Sequence, residues 1–192
     1  MIIDYIENNL GKLNSSWILD NPKHPHLQCV KFEDQPFKNV STYSTLGLSN
    51  YILRLKSEKE IRQELLFSVK ENLYDEKQIA SFMLTFAEHI IDTNVGLLRG
   101  EVIGPGNPII DSVQCNSIYA AIPIFFGEDF YVFEESDPPT VFVWLLPILE
   151  NECLWIKEKG WSLFEKELEK KEVESEFWDL NRRSFLPTAP TM

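Results

Sequence analysis

The sequence is poor in the two residue types that most often build metal and redox sites. It has only three histidines and three cysteines, Cys29, Cys115 and Cys153, which are widely spaced and form no Cys-x-x-Cys pair. An odd number of scattered cysteines predicts buried thiols in a reducing compartment rather than a disulfide framework. His24-Pro25-His26 lies near Cys29, but the proline imposes an extended loop and further ligands are missing nearby. We therefore expect no metal centre and no cofactor.

Basic side chains are also in short supply. Lys and Arg total 18 against 30 Asp and Glu, so the formal net charge is −12 at pH 7. Nucleic acids and anionic membrane surfaces are bound through basic footprints, so this balance argues against both as direct partners. The same acidic excess favours solubility and the electrostatic capture of a basic protein.

Long apolar runs are absent as well. No segment reaches the roughly 18 apolar residues that predict a membrane-spanning helix. The chain starts with Asp4 and Glu7 where a signal peptide would carry positive charge. We therefore expect a cytoplasmic protein. Apolar residues make up 44% of the 192 residues, and thirteen Phe and five Trp predict one domain with an aromatic core.

The motifs of common catalytic and nucleotide-binding sites are missing from the sequence. The glycine-rich residues 100–106 are not followed by the Lys-Ser/Thr of a phosphate-binding loop. Gly47-Leu48-Ser49 lacks the second glycine of a nucleophile elbow. Glu64 is interpreted as a buried ion-pair partner of Arg62 or Arg54 rather than as a general acid or base. No catalytic residue is predicted, and an enzyme with a dispersed site is kept as an alternative.

Three segments have the apolar spacing of amphipathic helices. They span about residues 3–13, 75–94 and 150–174. Asp75 has the side chain of an N-cap for the second helix, whose wide apolar stripe suits packing on a sheet. Gly160 is expected to break the third, highly charged helix.

Strands are predicted on both sides of the middle helix. They fall at residues 27–32, at both ends of 40–68, and at 118–126, 130–133 and 141–146. The last of these is apolar throughout, which predicts a strand covered on both faces and ended by Pro147. Residues 17–26 are predicted to form a loop and residues 187–192 a flexible tail. Because strands occur in two groups around a helix, we predict one α+β domain over residues 1–192, with a mixed or antiparallel sheet packed by helices.

Two ordered sets of short motifs link distant parts of the chain. The first consists of Ser41-Thr42-Tyr43-Ser44-Thr45, Gly47-Leu48-Ser49 and Arg62-Gln63-Glu64-Leu65-Leu66. The second consists of the apolar residues 141–148, then Glu150-Asn151-Glu152, and finally Asn181-Arg182-Arg183-Ser184. In this order, over about residues 27–186, they resemble the suppressor-of-fused (SUFU) domain family. The closing motif departs from the family's Asp-Pro-Asn-Arg, because Asp179-Leu180 stands where Asp-Pro is usual.

The resemblance implies a SUFU-like fold and a protein-binding role without catalysis. Eukaryotic members bind a transcription factor and hold it inactive. Small bacterial members resemble immunity proteins of polymorphic toxin systems, which neutralise a co-expressed toxin, often a nuclease carried by a secreted LXG-type polypeptide. For this chain the resemblance implies a cytosolic antitoxin that binds a cognate toxin stoichiometrically. The alternative is a regulatory domain that sequesters another protein, and the oligomeric state is left open.

Acidic side chains cluster without a balancing base at one predicted turn and the strand after it. No Lys or Arg lies within residues 128–137, whereas acids of the late helix alternate with lysines and can form i,i+4 pairs. A nuclease carries a basic groove, so we expect the toxin-binding rim at this cluster; a solvated acidic face is the alternative. Phe130, Tyr131 and Trp144 are candidate aromatic anchors, although Trp144 suits the core better. The residues assigned to the rim are Glu128, Asp129, Tyr131, Glu134, Glu135 and Asp137.

Overall fold

The computed structural model describes residues 1–18, 23–127, 130–170 and 176–186. Within these residues, four α-helices and two short 3-10 turns accompany one nine-stranded sheet. The helices are α1 (Ile2–Leu10), α2 (Glu76–Thr93), α3 (Glu150–Lys159) and α4 (Trp161–Glu169), and the 3-10 turns are Leu48–Asn50 and Ile124–Phe126. The strands are β1 (Ser15–Ile18), β2 (Gln28–Phe32), β3 (Val40–Leu46), β4 (Leu53–Arg54), β5 (Glu60–Lys70), β6 (Val102–Ile103), β7 (Ser117–Ala121), β8 (Val132–Phe133) and β9 (Thr140–Ile148).

The sheet is mixed, and its centre is one parallel pair. The strand order is β1-β2-β3-β5-β9-β7-β6, with β4 also pairing β5 and β8 also pairing β9. β5 and β9 run parallel, with Leu66 opposite Trp144, and the other strand pairs are antiparallel. A parallel pair requires a crossover, and here the crossover contains α2 and strands β6 to β8. The predicted α+β class with a mixed sheet is confirmed.

Each face of the sheet carries its own apolar core. The alternation of strand side chains sends Val143 and Leu145 of β9 into the core under α2. Phe142, Trp144 and Leu146 enter the opposite core, which is closed by α1, α3 and α4. The prediction that residues 141–146 form a strand covered on both faces is therefore confirmed.

The three predicted helical segments contain helices, but α1 ends at Leu10 and α4 at Glu169, before the predicted ends at about residues 13 and 174. Both ends of α2 agree with the prediction, because local signals fix them. The Asp75 carboxylate accepts a hydrogen bond from the backbone N–H of Gln78 at 3.0 Å, so it is the N-cap of α2. Asn94 ends this helix in the left-handed conformation, with φ 55°. Gly160, with φ 92°, separates α3 from α4 as predicted. Among the described helices, none has both the length and the apolar character that crossing a membrane requires.

Several predicted strand boundaries are wrong. Residues 15–18 form the short edge strand β1, with Trp17 opposite Cys29, where a loop was expected from residue 17. The strand predicted over 118–126 ends at Ala121, because Pro123 cannot donate to the ladder and the 3-10 turn Ile124–Phe126 follows. The strand predicted over 130–133 is reduced to Val132–Phe133.

Pro147 does not end its strand, contrary to the prediction. β9 continues through Pro147 to Ile148, with Pro147 opposite Ile118 of β7. The ladder between β9 and β5 stops at Trp144, so Pro147 lies where β9 has a single neighbour. A proline is tolerated at such a position, because its missing N–H removes no bond from a second ladder. The tail predicted at 187–192 lies outside the described residues.

Candidate protein-binding site

The loop between β8 and β9 carries three of the acidic residues predicted to form the rim. Glu134, Glu135 and Asp137 are all exposed on residues 134–139, which we call the acidic loop. The loop is closed by a hydrogen bond of 2.9 Å between the hydroxyls of Ser136 and Thr140. The structure therefore brings three carboxylates together on one short connection. Glu128 and Asp129, which were also assigned to the rim, lie outside the described residues.

Arg62 fastens the acidic loop to the rest of the sheet. Its Nε donates to the backbone carbonyl of Asp137 at 3.2 Å, and its Nη1 donates to the carbonyl of Ser49 at 2.7 Å. Both acceptors are backbone oxygens, so the guanidinium positions the loop without forming an ion pair with a loop carboxylate. Across the described part of the chain, no ion pair includes Glu134, Glu135 or Asp137.

The aromatic residues near the loop mostly belong to the core. Phe130 is fully buried and stacks on Phe142, with ring centroids 4.5 Å apart, so its prediction as a surface anchor is wrong. Trp144 is buried in the same core, as its apolar strand suggested. Tyr131 is half-buried, and its carbonyl accepts a hydrogen bond of 3.0 Å from the N–H of Phe142. Of the three aromatic candidates, Tyr131 alone offers substantial surface to a partner.

The first motif set converges on the carboxylate of Glu64. Glu64 Oε1 accepts hydrogen bonds from the N–H of Gly47 (2.9 Å) and from the N–H and hydroxyl of Ser49 (3.0 and 2.7 Å). Its Oε2 accepts from the Thr45 hydroxyl at 2.5 Å. Glu64 is fully buried, as expected, but the predicted arginine partner is wrong, because Arg62 donates to backbone carbonyls instead. Burial raises the pKa of Glu64, and the bonds from Thr45, Ser49 and Gly47 oppose that effect.

Gly47 is required in the backbone turn that places these donors next to Glu64. Its φ of +103° lies in the left-handed region, and a Cβ there would be 2.3 Å from the carbonyl oxygen of His26. The Ser/Thr-rich strand, the Gly-x-Ser turn and the Glu-Leu-Leu strand are thus parts of one buried network. Its donors hold the 3-10 turn Leu48–Asn50 against β5. The network is a structural element and leaves no carboxylate oxygen free for acid–base chemistry.

The second motif set converges on another buried carboxylate, that of Glu152. Arg182 donates to its two oxygens from Nη1 and Nη2, each at 2.8 Å, and also to the carbonyl of Pro147 at 3.0 Å. The backbone N–H of Phe185 adds a hydrogen bond of 2.6 Å, and that of Leu149 adds one of 2.9 Å. This ion pair joins the end of β9, the start of α3 and the segment after residue 180.

The histidines and cysteines are explained by packing. His24 Nδ1 lies 3.0 Å from the hydroxyl of Tyr51, and all three cysteines are buried as free thiols. Burial raises the pKa of Cys115 to about 12, so this thiol is unreactive at neutral pH. In the part of the chain that the structure describes, no group of three or more His, Cys, Asp or Glu is placed to hold a metal ion.

Comparison with known proteins places the chain among SUFU proteins. The family model described as suppressor of fused protein (SUFU) matches residues 23–183. The Immunity protein YqcF of Bacillus subtilis (strain 168) is 24% identical over 179 residues, which cover 91% of this chain and 88% of that protein.

Solved structures share the fold at low sequence identity. A SUFU homologue from Neisseria gonorrhoeae FA 1090 is similar with a TM-score of 0.77 and 13% identity, over 98% of this chain and 96% of that one. The Sufu–Fu complex gives a TM-score of 0.72 at 13% identity, over 96% of this chain and 90% of the matched chain. Drosophila Suppressor of Fused gives 0.69 at 12% identity, and the match covers 96% of this chain but 50% of that protein. The resemblance found in the motifs is confirmed, and the chain belongs to the suppressor of fused protein family.

Proposed function

We propose that this chain is an immunity protein that binds a cognate protein toxin stoichiometrically and neutralises it without catalysing a reaction. The observation that carries the proposal is the similarity to Immunity protein YqcF, which extends over 91% of this chain. A match of that extent is not confined to a shared fragment. The proposal places the protein in the cytoplasm of the cell that makes the toxin.

The charge of the chain favours a basic toxin, and we propose the nuclease domain of an LXG-type polypeptide. A nuclease holds its polyanionic substrate in a basic groove, so its active face attracts a protein with a net charge of −12. Glu134, Glu135 and Asp137 present negative charge that no ion pair of the described residues neutralises, and Tyr131 lies just before β8, the strand that leads into the loop. In this proposal the acidic loop forms the rim of the interface, where charge mainly increases the association rate.

The buried carboxylates support binding rather than catalysis. Glu64 and Glu152 are the fully buried acids of the described chain, and structural donors occupy both. A general acid or base must reach the proton it transfers, directly or through one water molecule. Neither carboxylate meets this requirement, because each is enclosed by the residues that it holds together.

A second candidate function is the regulatory sequestration of a protein that is not a toxin. It is favoured by the structural similarity to the chain in the Sufu–Fu complex, in which a SUFU protein binds another protein. That similarity rests on 13% identity and therefore concerns the fold. The two candidates differ in what the partner does to the cell when this chain is absent.

Co-expression with the toxin domain encoded by the adjacent gene tests the proposal. Growth and co-purification are scored together, with the toxin domain alone as the control for toxicity. We expect this chain to restore growth and to elute with the toxin domain as a stable one-to-one complex. A toxin domain that remains lethal and does not co-purify refutes the proposed pairing and shifts the assignment to the regulatory function.

A further inference from the structure

A cavity of about 360 Å³ lies between the sheet face of β7 and β9, helix α4 and the 3-10 turn Ile124–Phe126. Its volume is at the lower end of the range of about 300–1,000 Å³ found for ligand pockets. Its interior is mainly apolar and aromatic, and it is lined by Tyr119, Phe125, Trp144, Leu146, Leu168 and Phe177. The cavity lies outside the acidic loop and outside both buried carboxylate networks.

Trp144 lines this cavity, and the N–H of its indole ring is an unsatisfied hydrogen-bond donor. The residue is 3% exposed, and its buried indole Nε1 has no hydrogen-bond partner among the described residues. Its neighbours are the rings of Phe125, Phe177 and Trp178, whose centroids lie 5.5 to 5.7 Å from that of Trp144. A buried indole N–H usually finds an acceptor, but here Nε1 is covered by its neighbours. The Trp144 ring therefore lines the cavity, whereas its N–H is not open to the cavity.

The rim of the cavity is ordered and carries excess negative charge. Arg99 donates to both oxygens of Glu165, at 3.0 and 2.5 Å, and the Tyr119 hydroxyl donates to Oε1 at 2.7 Å. Arg99 is also held 5.1 Å from the centre of the Trp161 ring. Arg99 and Glu165 therefore neutralise each other, which leaves the exposed Glu169 as the charge that faces a partner.

We propose that this cavity is the anchor site for the protein partner, and that it accepts one apolar side chain next to a Lys or Arg. The apolar side chain fills the interior against the Trp144 ring, and the neighbouring base meets Glu169. This inference rests on the proposed function, because it assigns a contact of the same interface. The occupant is a protein segment, since an apolar side chain next to a base matches the apolar interior and the acidic rim.

The cavity and the acidic loop are close enough for one partner. Trp144 and Thr140 are four residues apart on β9, and a strand rises about 3.3 Å per residue, so about 13 Å separates their Cα atoms. A standard interface covers about 800 Å² on each partner, which is wide enough to include both features. Anchor residues in such interfaces lie in desolvated pockets, and charged residues lie at the rim.

The first test uses the full chain and defined peptides. The indole N–H signals are recorded in ¹H–¹⁵N correlation spectra, and Trp144→Phe identifies the signal of Trp144. The probes are Ac-Lys-Leu-Lys-NH2, with Ac-Lys-Ala-Lys-NH2 and Ac-Glu-Leu-Glu-NH2 as controls for the apolar side chain and the charge. Because the Trp144 ring lines the cavity, we expect the first peptide to shift its indole signal at millimolar concentration and the controls to shift it at least about fivefold less. An unchanged signal, or equal shifts with all three peptides, overturns the inference.

The second test measures affinity for the toxin domain. Ile124→Ser removes an exposed apolar side chain at the cavity mouth, and Ala121→Met fills part of the interior. Ile18→Ser is the matched control, because Ile18 is 66% exposed on β1 and Ile124 is 60% exposed. We expect each cavity variant to weaken binding about tenfold and the control to change it less than about twofold.

The outcomes separate this inference from the proposed function. If the toxin domain binds and both cavity variants bind as well as the control, the cavity is not the anchor site although the proposed function stands. If the toxin domain does not bind, the proposed toxin is wrong, and the peptide titration decides the chemistry of the cavity independently.

Discussion

Removing one partner of the buried Glu152–Arg182 pair is predicted to destabilise the protein strongly. In Arg182→Met, the Glu152 carboxylate loses two charged hydrogen bonds of 2.8 Å and stays buried, with the N–H groups of Phe185 and Leu149 still donating to it. An uncompensated buried charge costs about 3–5 kcal/mol. For a chain of about 150–250 residues, each kcal/mol shifts Tm by about 2–4 °C, so we expect a decrease of about 6–20 °C.

The double variant Glu152→Leu/Arg182→Met separates the charge from the packing. Replacing both members removes the buried charge, and such replacements are often neutral or stabilising. Here Glu152 also accepts from Leu149 and Phe185, so losing it leaves two backbone donors without their acceptor, at about 1–3 kcal/mol each. We therefore expect the double variant to be less stable than the wild type but no less stable than Arg182→Met.

Urea unfolding followed by circular dichroism measures these differences. Lys56→Met is the control, because the Lys56–Glu101 pair is exposed on the lysine side and is expected to contribute less than about 1 kcal/mol. A loss below about 1 kcal/mol in Arg182→Met would refute the reasoning, because the pair would then behave like a surface salt bridge. Equal losses in the single variant and the control would lead to the same conclusion.

Three further predictions concern the Glu64 network and the acidic loop. Burial raises the pKa of Glu64, so the folded protein binds the carboxyl proton more tightly than the unfolded chain does. The free energy of unfolding of the wild type should therefore fall, relative to that of Glu64→Gln, as pH rises above about 4.3; the same pH dependence in both proteins would contradict this. Gly47→Ala should lower the free energy of unfolding by more than about 1 kcal/mol, because the added Cβ would lie 2.3 Å from a backbone oxygen. In Gly127→Ala nothing lies within 4 Å of the added Cβ, so only backbone strain should reduce stability; equal losses in the two variants would exclude the contact as the cause. Replacing Glu134, Glu135 and Asp137 by lysine should lower the association rate with the toxin domain about tenfold at low salt and reduce the salt dependence of that rate. Stopped-flow kinetics measure both quantities, and an unchanged rate would show that these residues are not part of the rim.

The sequence predicted those elements whose signals are local. Helix α2 was located within one or two residues, because its N-cap Asp75 and its apolar stripe lie within the helix itself. The edge strand β1 was missed, because four residues paired on one side have no pattern that separates them from a loop. Pro147 was misplaced as a strand end, because its tolerance depends on where the neighbouring strand β5 stops pairing.

The partners of buried polar groups depend on register, which a single sequence does not reveal. Arg62 is two residues from Glu64 and was the nearest opposite charge, yet the two side chains do not pair: Arg62 donates to the carbonyl of Ser49, and Glu64 accepts from the N–H and hydroxyl of that residue. The structure places the donors of Thr45, Gly47 and Ser49 beside Glu64, because β3 and β5 pair with Ser44 opposite Leu66. The unsatisfied N–H of Trp144 could not be predicted either, because it depends on the rings and the cavity around it.

The family motifs centre on two buried carboxylates, and for that reason they give information about the fold and none about the partner. Thr45 and Ser49 donate to Glu64, and Arg182 donates to Glu152, so these motif residues satisfy one another inside the protein. A partner can contact only exposed groups, and the contacts proposed for this chain are the acidic loop and the mouth of the cavity. The fold is shared with the Neisseria gonorrhoeae homologue at 13% identity, so members of the family can keep the fold and still present different surfaces. On this argument, exchanging the acidic loop and the cavity rim between two SUFU immunity proteins should exchange their toxin specificity while both remain folded.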